Sequence, residues 1–534
     1  MHPDIPATVA EAFVASVARH ADRTALVTID GDPITYAQLG ERVATAVSVL
    51  RALGCTTGDR IAIWLPNVPH WPVLQYAAAL LGLTVVPVNA RYRAAEAEYV
   101  LRLSRSRVLF TQQAFMTNGY VERLREIAGG DPGRGEQAAI ASLPHLQRIV
   151  LVEGEEAPGT VPYARLAAAV RPADDLGALA GERRAQDPLW VFWTSGSTSA
   201  PKGAVLTQSA VTNVWNWSAM ARYGPADRVL VSRPFFYIAG NFWCMVAPML
   251  HGAAAIIGQQ FTPEEIVRLC ARERVTVLSG NPLLLKGLVD DPACDPQAFR
   301  HVRCGYFGGS SVSLEDLQRI KSRIGFEYLM QSYGMTELEG FASSTHPDDP
   351  LDVVFGTVGR PLPGLEMRLV DPATLAPVST GSVGELLTRG RGLIDYEGVS
   401  ATDRARLFDA QGWFRTGDLL RQRDDGRYEF VGRVKDLIKV GGENATAGEI
   451  ETTLMTHPDI ANVAVVAMPD ARRGEVPFAF VETRSGRPPD ADAIRAWCRE
   501  RMAPFKVPVG FRQVLAADWP MTATGKIAKH QLRP

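Results

Sequence analysis

The sequence predicts an α/β fold: a large N-terminal domain of packed sheets and helices, followed by a small α+β domain. Two observations carry this, an alternation of element types along the chain and a change of character near residue 432. Apolar runs of strand length lie at 60–65, 85–88, 107–110, 229–232, 253–257 and 275–278, and helical patterns at 37–53 and 263–272 lie among them. A strand at 428–431 ends in Gly432, after which charge rises sharply in Arg433, Lys435 and Asp436. Beyond it come a strand at 437–440, a helix after Thr446, a strand at 464–468, a helix at 491–501 and a strand at 510–515. Residues 1–432 and 433–534 are the expected domains, and no fixed period repeats along the chain.

Composition narrows the class. A chain of 534 residues exceeds one ordinary domain. With 46% hydrophobic and 21% charged residues it has the balance of a soluble globular protein. A net charge of −2 gives no electrostatic case for nucleic acid or an anionic membrane surface. The six cysteines form no Cys-x-x-Cys pair, which points to free thiols rather than disulfides or structural zinc. The longest apolar stretches, 74–88 and 235–250, fall short of the ~20 residues of a membrane span. Gly82 and Pro87 interrupt the first and Gly240 and Pro248 the second, so both are expected to be buried core. Asp4, Glu11 and Arg19 fall within an amphipathic N-terminal pattern in which Thr8 and Glu11 form a capping box, unlike a signal peptide; a cytoplasmic location is expected. Residues 129–137, rich in Gly, Pro and charge, are expected to form an exposed loop.

The most informative segment is an apolar strand, 189–193, running into Thr194-Ser195-Gly196-Ser197-Thr198-Ser199-Ala200-Pro201-Lys202-Gly203. Gly196 lets backbone amides approach an anion, the hydroxyls of Thr194, Ser195, Ser197 and Thr198 add donors, and Lys202 supplies a point charge. It is not a Walker A loop, because Pro201 precedes the lysine and no Ser or Thr follows it.

This loop resembles the signature of the adenylate-forming superfamily (acyl-CoA synthetases, nonribosomal adenylation domains and beetle luciferases), with Ser199 where glycine is usual. Further matches follow in the family's order. Gly308-Gly309-Ser310-Ser311 resembles the glycine-rich stretch that lines the adenine pocket. Gln331-Ser332-Tyr333-Gly334-Met335-Thr336-Glu337, expected to follow a strand at 326–330, resembles a core motif. The resemblance implies that Tyr333 stacks near adenine, Thr336 touches the α-phosphate and Glu337 helps hold Mg²⁺, for which a carboxylate is a suitable hard ligand. In Trp413-Phe414-Arg415-Thr416-Gly417-Asp418-Leu419, Asp418 would accept from both ribose hydroxyls, and Arg433 would reach the ribose or phosphate. In Pro520-Met521-Thr522-Ala523-Thr524-Gly525-Lys526-Ile527, Lys526 would bridge the acid carboxylate and the α-phosphate as charge builds there.

The resemblance implies ATP, Mg²⁺, a carboxylic acid and coenzyme A. In similar enzymes the C-terminal domain rotates between half-reactions, with Lys435 at the hinge position and 437–444, including Lys439, Gly441 and Gly442, lining the thioester site. Ala447 departs from the proline common in acyl-CoA ligases, and Thr446-x-x-Glu449 is expected to be a capping box. Other acceptors, a carrier protein or an amine, and activation of nitrite in place of a carboxylic acid, stay open beside coenzyme A. Pro234-Phe235-Phe236-Tyr237-Ile238-Ala239-Gly240 resembles a motif near the acid pocket, with Tyr237 where many relatives have histidine. Trp215, Trp217, Phe242 and Trp243 suggest a bulky wall and favour a small or aromatic acid.

Overall fold

Parallel strands apolar on both faces organise the large domain, as alternation with helices requires. The computed structural model describes residues 5–29, 31–194, 201–259, 262–280, 282–291, 294–308, 313–393, 395–440, 443–521 and 527–534. In a nine-stranded sheet, Thr24–Val27, Ala254–Ile257, Arg228–Val231, Val277–Ser279, Cys304–Phe307 and Tyr328–Met335 run side by side in parallel. Alternate side chains enter two different cores: Val229, Val231 and Tyr306 face the core shared with the second large sheet, while Leu230 and Phe307 face the opposite one.

The second sheet has eight strands. Arg60–Trp64, Thr84–Pro87, Val108–Thr111, Arg148–Leu151, Thr160–Pro162 and Pro188–Thr194 pair in parallel; Lys202–Thr207 and Asp395–Glu397 add antiparallel at one edge. Helices His70–Leu81 and Ala210–Met220 contribute to the core between the sheets, which buries Trp64, Trp71, Trp190, Trp217 and Trp243 completely. The apolar stretches 74–88 and 235–250 lie in this core, and among the described residues no helix is long and apolar enough to cross a membrane. All six cysteines are buried free thiols.

Leu365–Val370, Val383–Gly390, Phe414–Gln422 and Tyr428–Arg433 form a four-stranded antiparallel sheet. A 3-10 turn, Val434–Asp436, leads into a five-stranded sheet with its own core around Ile450, Leu454, Val465 and Ile494. Its longest hairpin, Ile460–Asp470 with Gly474–Thr483, contains a second strand that the sequence pattern did not reveal. The expected capping box Thr8–Glu11 forms. The one at Thr446–Glu449 does not: Thr446 sits at the N-cap, but its hydroxyl donates to Glu449 Oε2 at 3.4 Å and caps no backbone amide. Glu449 is drawn instead to Lys506 Nζ, 2.7 Å away. Next to it Gly448 is required, since a Cβ there would lie 2.5 Å from the Val431 carbonyl oxygen, where the helix start meets the strand Tyr428–Arg433.

His251 closes the turn after the helix Ala247–Leu250. It stacks on Trp215 at 4.8 Å between centroids and shares a 2.8 Å hydrogen bond with Ser218 Oγ. Burial holds its pKa down to about 4, aided by His20 and opposed by Asp227. The folded imidazole is therefore neutral, and the stability linked to it is present above the ordinary value of 6.5 and is lost as pH falls towards about 4. His251→Phe, which keeps a ring on Trp215, is predicted to lose less of its urea midpoint than the wild type between pH 6.5 and pH 4. Equal losses in the two proteins would contradict this.

Candidate active site

The strand Tyr328–Met335 leaves one neighbour and takes another within its length. Tyr328 to Gln331 pair in parallel with Cys304–Phe307, whereas Ser332 to Met335 pair antiparallel with Gly340–Ser344. The motif expected to follow a strand thus continues one, and only Thr336–Leu338 turns, as a single 3-10 helix. Ser332 holds the crossover: its hydroxyl lies 2.8 Å from Ser344 Oγ and accepts from Trp217 Nε1 at 3.1 Å. At Gly334 a Cβ would meet the Gly340 carbonyl oxygen at 1.7 Å, so only glycine permits this pairing.

The 3-10 turn carries Thr336, half-buried, and Glu337, buried. Glu337 Oε1 accepts from the Tyr396 hydroxyl at 2.7 Å and from Thr194 Oγ1 at 3.3 Å, and its backbone carbonyl accepts from Leu393 N–H at 2.7 Å. Thr194 ends its strand directly opposite the half-buried Lys202, which opens the next, so the loop between them joins two antiparallel strands. Ser195, Gly196, Ser197 and Thr198 lie outside the described residues, as do Gly309 and Ser310. Tyr396 was missed in the sequence; a tyrosine in a three-residue edge strand gives no local sign that pairing with Lys202–Thr207 carries it to Glu337. Two residues past Glu337, the buried Glu339 carboxyl is pushed up to about 7 by burial, with Arg391 and Ser209 opposing.

One buried carboxylate fringed by hydroxyls fits a magnesium ion held jointly with phosphate oxygens. No cluster of three or more His, Cys, Asp or Glu able to hold a metal gathers among the described residues.

Asp418, 2% exposed, accepts from the Tyr333 hydroxyl at 2.7 Å and lies 3.0 Å from Arg433 Nε, its cross-strand partner. Burial, then the Asp418 charge, pushes the Tyr333 phenol well above its usual value. The Tyr333 ring lies 6.1 Å from that of Phe430. One strand therefore brings Tyr333 to Asp418 and, four residues later, delivers Glu337.

Around the expected acid pocket, Tyr237 is half-buried and its oxygen accepts from Asn89 Nδ2 at 3.0 Å. At Gly240 a Cβ would meet the Pro234 carbonyl oxygen at 2.1 Å. Of the aromatic residues grouped in sequence, Trp217, Phe242 and Trp243 stay in ring contact, and Trp215 leaves them. Trp217 and Trp243 pack with Tyr306 and Phe341 in the core, and Phe242 tilts on Trp190, while Trp215 stacks on His251.

In the small domain Lys439 is exposed on its strand, and its backbone N–H donates to Glu475 Oε2 at 2.9 Å. Gly441, Gly442 and Lys526 lie outside the described residues. The chain flanking Lys526 is anchored: Met521 and Ile527 form an antiparallel bridge, and Lys529 Nζ lies 2.6 Å from the half-buried Glu451.

Comparison with known proteins agrees with this arrangement. The model of the AMP-binding enzyme family matches residues 13–395, and that of the AMP-binding enzyme C-terminal domain matches residues 449–526. The medium-chain acyl-CoA ligase ACSF2 of Mus musculus is 30% identical over 98% of this chain and 87% of its own length. A Mycobacterium tuberculosis CoA ligase for a dioxo-octahydroindenyl propanoyl group is 33% identical over 98% of both chains. ATP-bound MatB from Rhodopseudomonas palustris superposes with a TM-score of 0.83 at 25% identity, covering 98% of each chain. A benzoate CoA ligase from Burkholderia xenovorans gives 0.81 at 26% identity, covering 99% of this chain and 100% of that one. With both family domains present in order and ligases matching along nearly its full length, the chain belongs to the AMP-binding enzymes and, among them, to the AMP-forming acid–CoA ligases.

Proposed function

We propose that this enzyme activates a small or aromatic carboxylic acid with ATP and transfers the acyl group to coenzyme A. In the first half-reaction a carboxylate oxygen attacks the α-phosphorus and pyrophosphate leaves. In the second, the coenzyme A sulfur attacks the acyl carbon, AMP leaves, and the thiol proton passes to solvent. The observation that carries this reading is the single strand that brings Tyr333 to the buried Asp418 and sets Glu337 just beyond, a spacing suited to a ribose followed by its phosphates.

Asp418 accepts the ribose hydroxyls, with Arg433 beside it. Ser332, Tyr333 and Gly334, together with Gly309 and Ser310, border the adenine. Thr336 contacts the α-phosphate, and Lys202 with Thr194, Ser195, Gly196, Ser197 and Thr198 cradles the triphosphate. Glu337 would hold Mg²⁺, which would supply positive charge to the phosphate oxygens. Lys526 stabilises the charge that develops as the acid attacks. Tyr237 and Gly240 border the acid. Residues 433–534 then turn about Lys435 to present Lys439 and its neighbours to the thioester-forming step.

Purified protein incubated with ATP, Mg²⁺, coenzyme A and a pool of carboxylic acids is expected to yield one or more acyl-CoA products with AMP, read by mass spectrometry. AMP or acyl-adenylate without thioester would move the acceptor elsewhere, and no product from any acid would contradict the reading. Lys526→Ala is predicted to slow ATP–pyrophosphate exchange by about 10²-fold or more; unchanged exchange would contradict its role. Asp418→Asn sets an amide N–H₂ among donors, and hydrogen bonds to a charged group are worth ~1.5–3 kcal/mol. A rise in the KM for ATP of about 10- to 100-fold is predicted. An unaltered KM would show that the carboxylate does not meet the nucleotide.

A further inference from the structure

Arg233 stands two residues past the strand Arg228–Val231, at the edge of the sheet where Val277–Ser279 and Cys304–Phe307 also end. Ligands of open α/β sheets bind beyond such carboxyl ends. Its backbone is fixed against the expected acid pocket. The Arg233 carbonyl accepts from Asn67 Nδ2 at 3.0 Å, and the carbonyls of Arg233 and Pro234 crowd Gly240, leaving no room for a Cβ.

Its side chain turns onto the face shared by the two large sheets. The guanidinium carbon lies 5.9 Å from the centroid of the Tyr306 ring. Next to that ring, Cys244 Sγ lies 3.6 Å from the Tyr306 hydroxyl and 3.8 Å from Ser279 Oγ. This environment contains hydroxyls, a neutral thiol and aromatic faces, and among the described residues no carboxylate pairs with Arg233. Arg233 is half-buried, yet its Nη2 is closed off from solvent and makes no hydrogen bond with any described residue. A guanidinium nitrogen removed from water calls for an acceptor, and an aromatic face does not replace one in the plane of the fork.

We propose that Arg233 is a specificity-determining residue of the acid pocket: its Nη2 donates to a second oxygen acceptor, carboxylate or ketone, on the end of the acid remote from the carboxyl that is activated. The inference rests on the ligase reading above and narrows its substrate class to acids oxygenated at the far end. A carboxylate would engage the planar fork with two parallel bonds, a ketone with one.

The test compares acids in matched pairs, benzoate with terephthalate, hexanoate with adipate and pentanoate with levulinate, by kcat/KM for pyrophosphate release. Wild type, Arg233→Met and Arg233→Lys are each measured on all six. In the wild type, the oxygenated member of at least one pair is expected to be preferred by about 10²-fold or more. Arg233→Met is expected to collapse that ratio at least tenfold, and Arg233→Lys to keep part of it. The ratio is taken within one preparation, so a partly folded variant does not distort it. Preference in the carboxylate pairs alone or in the ketone pair alone supports the proposal and identifies the group.

Wild-type preference for the plain acid in every pair, or a ratio that survives Arg233→Met, overturns the proposal and leaves the ligase reading standing. No pyrophosphate release with any acid overturns both.

Discussion

The Asp418 carboxylate is the constraint on which the rest of the site depends. A carboxylate this deeply buried is tolerated only if donors meet its oxygens. Those donors come from separate places: Tyr333 from the strand that crosses out of the nine-stranded sheet, and Arg433 from the end of the neighbouring strand Tyr428–Arg433. Satisfying one charge therefore fixes how the nine-stranded sheet and the four-stranded sheet meet. The Arg433 side chain is 43% exposed, and so it is the donor with room to move aside under the proposed ribose contact.

A second consequence follows from the strand that changes partners. Parallel strands ending together at Val231, Ser279, Phe307 and Gln331 gather their loops at one edge, while the second sheet contributes Thr194 and Tyr396 from antiparallel strands. Glu337 lies where these two sets meet, fixed by two hydroxyls and by the Leu393 N–H. Close approach at Gly334 makes the crossover possible, and the Trp217–Ser332–Ser344 hydrogen bonds lock it. Arg233 belongs to the same edge, and among the described residues nothing accepts from its buried Nη2.

Much of this was legible in the sequence because local chemistry decides it. Strands apolar on both faces and the Thr8 cap each have a reason within a few residues. What was not legible depends on contacts between distant segments. Tyr396 reaches Glu337 across 59 residues and Asn89 reaches Tyr237 across 148. Trp215 and Trp217 belong to one helix, yet they face different neighbours, so Trp215 leaves the aromatic group that Trp217 forms with Phe242 and Trp243. At Thr446 the capping pattern is present, but Lys506 competes for Glu449, and the tertiary contact prevails over the local motif.

The most direct test of the account is a crystal structure with a non-hydrolysable acyl-adenylate analogue. The account predicts the ribose hydroxyls on the Asp418 carboxylate, the linker that replaces the α-phosphate beside Thr336, and the acyl end towards Tyr237 and Gly240. An adenylate whose ribose makes no hydrogen bond with Asp418, or one lodged away from the Tyr328–Met335 strand, would contradict it.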